Sequence, residues 1–293
     1  MSPRDILLAL LVVVLWGLSF IAIKLGVGLV PPLLLTALRY VFAALPAVFF
    51  IRPPKVKLPL LFAYGISIGV LQFGTVFVAI KLGMPAGLSS LVIQMQAFFT
   101  IGLAALFLGE RLGRYQTIGA AVALLGIALI AAERLSGAAL LPLLLTLAAA
   151  VFWGVGNIVT KRAGQIDMLA FVAWSSLVPP LPLLAASLLT EGPAADWAAL
   201  THPTWLLVGV VLFMGIGATL VGFGLWSVLL KRYPASTVAP FSLLVPVVGI
   251  GASVVLLHES LSPLEAGGCA VIFIGLMINV FGPRLRRTAA APV

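Results

Sequence analysis

The chain has 293 residues, 62% of them hydrophobic and 9% charged, with mean hydropathy +1.25 and a formal charge of +9. So little polar surface cannot cover a soluble globule of this size, and the 17 Lys and Arg sit singly or in small groups between apolar runs rather than in a patch that would hold nucleic acid. The composition specifies an integral membrane protein whose partner is the lipid bilayer, with no nucleic acid. The single cysteine, Cys269, excludes an intramolecular disulfide.

A hydrocarbon core of about 30 Å takes roughly 20 helical residues. Ten apolar spans of about that length follow one another at 5–26, 33–51, 58–80, 85–108, 115–132, 141–160, 168–189, 204–230, 235–257 and 264–282. The first is too long for a signal-peptide core and no small-residue cleavage pattern follows it, so it reads as a spanning helix. With the N-terminus cytoplasmic, 13 Lys and Arg fall on the inner side and only Lys24, Lys81 and Arg134 on the outer, while Arg39 lies inside a span. That asymmetry predicts both termini inside.

In chain order, the first span carries Trp16-Gly17, Ser19 and Lys24, the second Arg39 and the third Gln72. The fourth opens on Pro85-Ala86, holds Ser90, Gln94 and Gln96, and closes on Glu110. Residues 94 and 96 point some 160° apart on a regular helix, so both face one cavity only if the helix is unwound there. Gln94, which shares a face with Ser90, is the better cavity candidate. The sixth span aligns Trp153, Asn157, Thr160 and Lys161 in one stripe. Trp174 and Ser175 lie in the seventh, which Pro179, Pro180 and Pro182 should bend; Ser242 lies in the ninth, where Pro240 and Pro246 should do the same. The eighth carries Gly215, Gly217, Gly222 and Gly224.

The chain repeats itself. Pro85-Ala86 to Glu110 returns as Pro234-Ala235 to Glu259 at an offset of 149, which also pairs Gly102 with Gly251, Gly119 with Gly268 and Gly126 with Gly275. Trp16-Gly17 with Lys24 returns as Trp153-Gly154 with Lys161 at an offset of 137, and the loop 191–203 absorbs the difference. The halves are then 1–136 and 137–293. Each holds five spans, and because five is odd the second half crosses the membrane upside down. The fold class is therefore all-α, with ten transmembrane helices in two inverted five-helix repeats around a central cavity, the common construction of secondary transporters.

The ten spans, the Trp-Gly openings, Arg39 in the second span, the Pro-Ala openings and the Glu-x-Leu motifs followed by the glycine series resemble the EamA family of the drug/metabolite transporter superfamily. Within it the chain is most similar to bacterial exporters of amino acids and related metabolites. The resemblance implies a basket of helices around the cavity, with the fifth and tenth outside, in a bacterial inner membrane. The Gly and Ala faces of those two spans suit either a dimer or packing within one chain.

Polar groups inside a bilayer are expensive and therefore informative. All eight Asp and Glu and both His fall at span ends or in loops, so no carboxylate or imidazole sits at mid-membrane to carry a proton or ligate sodium. Facilitated transport is the expectation. The candidate substrate contacts are Trp16, Ser19, Arg39, Gln72, Gln94, Trp153, Asn157, Trp174 and Ser242, carried chiefly by spans 1, 3, 4, 6, 8 and 9. Arg39, roughly 9 Å into its span at 1.5 Å per residue, either attracts a substrate carboxylate near the outer mouth or is a snorkelled or carbonyl-capped arginine. No phosphate loop, metal cluster or catalytic acid pair is present, so neither an enzyme nor a cofactor is expected. Alternating-access export of amino acids and similar amphipathic metabolites is the leading reading. The alternatives are a multidrug or cationic-compound exporter of the same fold and a non-transporting membrane scaffold or sensor.

Overall fold

A computed structural model describes residues 1–135 and 140–289, with the side chains of 235, 236 and 283–289 left aside. Ten helical spans run in the expected order: α1 Pro3–Leu29, α2 Pro32–Val48, α3 Leu58–Lys81, α4 Ala86–Leu108, α5 Arg114–Arg134, α6 Leu140–Ala163, α7 Met168–Thr190, α8 Trp205–Arg232, α9 235–257 and α10 Pro263–Ala289. Among the described residues nine are long and apolar enough to cross a bilayer by composition; α2 has 17 residues, at the lower limit for a spanning helix. The expected boundary between the halves at 136/137 lies outside the described residues.

Helix starts follow local chemistry. Pro occupies the first turn of α1, α2 and α3, where its missing N–H costs nothing, and the Ser2 hydroxyl accepts the Asp5 N–H at 3.2 Å. Helix ends repeat across the halves. α4 stops at Gly109 with φ +68°, and α9 stops 149 residues later at His258 with φ +53°. Their N–H groups bond the equivalent carbonyls of Ala104 and Ser253.

The inversion is visible in packing. α5 lies antiparallel against α10 beside the rest of the bundle, so the spaced glycines join two helices of one chain. A Cβ on Gly119 would stand 2.6 Å from the Gly275 carbonyl, and one on Gly126 2.6 Å from the Gly268 carbonyl. Since 119 corresponds to 268 and 126 to 275, each contact is the image of the other. At one end of this pair Arg134 and Glu265 form a buried ion pair of 2.6 Å. The Trp-Gly motifs have the same logic: Gly17 lets α1 approach Val248 of α9, and Gly154 lets α6 approach Thr100 of α4.

Five of the described spans depart from regular helix, four of them in matched pairs. α3 and α8 contain π-helical stretches, Gly65–Phe73 and Phe213–Val221, while α4 and α9 contain 3₁₀ turns at Ile93–Met95 and Ala239–Leu243. Such turns mark places where the regular hydrogen-bond ladder is broken near functional sites. α7 is interrupted between Ser175 and Pro180, where its prolines cluster, and the 3₁₀ turn of α9 contains Pro240; Pro246 sits inside regular helix. Loop 191–203 folds into a short helix, Pro193–Thr201.

Candidate functional site

Three of the four irregular stretches, those of α3, α4 and α9, line a central cavity of about 130 Å³ walled by α1, α2, α3, α4, α6, α8 and α9. Spans 1, 3, 4, 6, 8 and 9 are there as the sequence reading has it, and α2 adds Arg39. α5 and α10 contribute nothing to the wall. Among the lining residues there is no carboxylate and no histidine.

Seven of the nine candidate residues line the cavity: Trp16, Ser19, Arg39, Gln72, Gln94, Trp153 and Ser242. The Trp16 indole donates to the Ala218 carbonyl at 3.0 Å, inside the π stretch of α8, and packs against Phe223 and Trp226 with ring centroids at 5.2 Å. Gly222 makes room for it, since a Cβ there would stand 2.6 Å from the indole nitrogen. The Gln94 amide donates to the Ser242 carbonyl at 3.2 Å, joining the two 3₁₀ turns across the pseudo-symmetry axis. Ser19 and Ser242 turn their hydroxyls to their own helix backbones, at Trp16 and Ala239.

Two candidates lie outside the wall. Asn157 donates to Gln96 Oε1 at 2.8 Å and to Thr100 at 2.9 Å, which pins α6 to α4. Trp174 donates to the Ile51 carbonyl at 2.9 Å, beyond the end of α2. In exchange the cavity takes Gln96, which regular helical geometry had turned away. The 3₁₀ turn advances about 120° per residue, so Gln94 and Gln96 come some 40° closer in direction and both reach the wall. Phe20, Tyr64, Phe73 and Phe223 also line it. Their apolar rings carried no signal in a chain full of lipid-facing aromatics.

Arg39 is enclosed rather than snorkelled. It is 3% exposed, its Cζ lies 3.8 Å from the centre of the Phe73 ring, and its Nη2 donates to Thr219 at 3.2 Å. Neither a carbonyl nor a carboxylate meets its remaining donors: Nε and Nη1 have no partner. A smaller void of about 20 Å³ beside it is lined in part by Tyr40, Ser175 and Ser176, again without an acidic residue.

The family model described as the EamA-like transporter family matches residues 4–132 and 140–281. The chain belongs to this family. Two relatives are each described as a probable amino-acid metabolite efflux pump: one from Salmonella typhimurium is 47% identical over 99% of both chains, and one from Escherichia coli strain K12 is 45% identical over 98% of both. A solved crystal structure superposes with a TM-score of 0.63 over 97% of this chain and 99% of its own, at 23% identity, and so shares the fold. This EamA-like chain is thus a multi-pass membrane transporter and not an enzyme.

Proposed function

We propose that the chain exports amino acids and related small amphipathic metabolites across the bacterial inner membrane by alternating access, with both termini cytoplasmic. The observation that carries the reading is the cavity itself. It lies where two inverted halves meet, and it presents amides, indoles and phenyl rings to an amphipathic solute. The two relatives described as amino-acid metabolite efflux pumps support the substrate class.

Access from one side at a time is supported by an asymmetry between equivalent segments. Residues 86–95 of α4 are all buried, whereas among their counterparts 237–244 of α9 only Val238 and Leu243 are. The N–H groups of Ala86 and Gly87 donate to Glu259 at 2.9 and 3.1 Å. The counterpart Glu110 instead takes Lys161 at 2.8 Å in an exposed ion pair. With both termini cytoplasmic, as proposed, Glu259 lies outside and this arrangement is sealed outward. Swapping the environments of the two repeats would seal the opposite side.

No carboxylate or imidazole lines the cavity, which supports facilitated movement without proton coupling. The test is uptake of radiolabelled substrate into proteoliposomes with and without an imposed pH gradient, for the wild type and Gln94→Ala. Flux should appear without a gradient and fall at least tenfold in the variant, because losing this amide unlinks α4 from α9 at the site. Flux that needs the gradient would refute the facilitative part, and absence of flux for every solute offered would refute the transport reading.

A further inference from the structure

Building on the cavity as the transport site, we infer that its preferred cargo is a net monoanion: a carboxylate with an apolar or aromatic side group whose amine is masked or absent, such as an N-acylated amino acid or a 2-oxo acid. The argument starts from charge. Arg39 is the cavity's one formal charge among the described residues, and it is 97% removed from solvent by its 3% exposure. A buried guanidinium is stable only when its donors are met. Thr219 takes one of them, and Phe73 lies against the face at 3.8 Å, but a ring offers no acceptor for the N–H groups of Nε and Nη1, which stay unmet. A carboxylate supplies two acceptor oxygens in the planar geometry that a guanidinium fork matches.

The rest of the solute must then suit the rest of the wall. An ordinary zwitterionic amino acid would satisfy Arg39 and import an ammonium into a chamber with no carboxylate to receive it, leaving the net buried charge at +1. A monoanion neutralises the chamber. Its apolar group would meet the rings of Phe20, Trp153 and Phe223, and an acyl or keto oxygen could accept from Gln94 or Gln96. A cationic drug is the worst fit, since it would face Arg39 directly.

The same charge supplies the driving force. Over a full cycle the protein returns to its starting state, so the net charge moved is that of the cargo. A monoanion leaving a cell with a negative interior gains about 2.3 kcal/mol per 100 mV, equivalent to roughly fifty-fold accumulation outside. Export then needs no coupling ion, in agreement with a cavity that has no carboxylate or imidazole in its wall.

The experiment is uptake into proteoliposomes of the full chain, comparing phenylpyruvate, N-acetylphenylalanine, phenylalanine and phenethylamine, with a potassium–valinomycin potential of either sign. The two anions should enter at least tenfold faster than phenylalanine. A lumen made positive by 100 mV should concentrate them towards the roughly fifty-fold limit, and phenylalanine should not respond. Arg39→Gln should abolish the preference and Arg39→Lys should keep part of it; the wild-type ratio and its voltage response stand even if a variant fails to fold. Phenylalanine flux equal to or above that of the anions, or anion flux indifferent to voltage, would overturn the inference while leaving the amino-acid exporter intact. Absence of flux for all four would overturn both.

Discussion

His258 shows how a repeat can keep a backbone conformation while changing the residue that bears it. Its counterpart Gly109 adopts φ +68° without cost, whereas His258 holds φ +53° with a Cβ that crowds the following carbonyl. The two helix ends share their capping bond, so the conformation belongs to the fold and the strain to the side chain. His258→Gly should therefore stabilise the protein by about 1 kcal/mol. Gly109→Ala should destabilise it by a similar amount; thermal melts in detergent would read both, and equal melting temperatures would refute the assignment. Asp167 is a second local device. It accepts the Ala170 N–H at 3.1 Å to cap α7 and pairs with Lys231 at 2.9 Å, and the hydrogen bond from Lys231 holds its carboxyl below the usual range. A depressed carboxylate contributes stability above its unfolded pKa and loses it as pH falls through the folded one. This exposed junction should be intact throughout the neutral range and weaken only in strong acid.

Among whole elements, glycine spacing has two different meanings that the chain alone does not separate. Gly126 and Gly268 bring α5 and α10 backbone to backbone, and an added methyl at Gly126 would lie 2.6 to 2.8 Å from backbone atoms that cannot yield. Gly102 and Gly251 belong to the same repeat register, yet nothing lies within 4 Å of either added carbon. Gly126→Ala should cost about 1–3 kcal/mol through overpacking. Gly251→Ala should gain up to about 1 kcal/mol, because alanine is the better helix former and meets no neighbour. Melting temperatures that move in the same direction for both variants would contradict this packing. Asn157 acts between elements too: by holding Gln96 and Thr100 it fixes the part of α4 that follows its 3₁₀ turn, so its effect on the cavity is indirect.

At the scale of the molecule, the distortions are as symmetric as the sequence repeat. π stretches in α3 and α8 and 3₁₀ turns in α4 and α9 occur in matched positions of the two halves, and the α3 and α8 stretches bury Gln72 and Thr219 against neighbouring helices. Symmetry fails at the helix starts: the N-terminal end of α4 is enclosed and the equivalent end of α9 is not. The proposed orientation has its own check. A C-terminal green fluorescent protein fusion should fluoresce and a C-terminal alkaline phosphatase fusion should stay inactive; the reverse pattern would invert every assignment of inside and outside made from the loops.

Class, span number and inverted repeat were legible along the chain, because in a bilayer they depend on local quantities: the length of apolar runs, the placement of Lys and Arg, and a register of Pro, Glu and Gly. The place of seven candidates in the cavity wall was legible for a related reason, since Arg39, Gln72 and Gln94 are costly in lipid wherever they point and the Trp-Gly motif marks both halves. Tertiary structure alone decided the rest. Whether Gln96 meets the cavity depends on some 40° of helical phase in one 3₁₀ turn. Asn157 and Trp174 are drawn away by partners distant in sequence, Gln96 and Ile51. Phe73 and Phe223 differ from lipid-facing rings only in what surrounds them. The missing partners of Arg39 are likewise a property of the assembled chamber, because an unmet donor is defined by every atom around it and by no residue type in the chain.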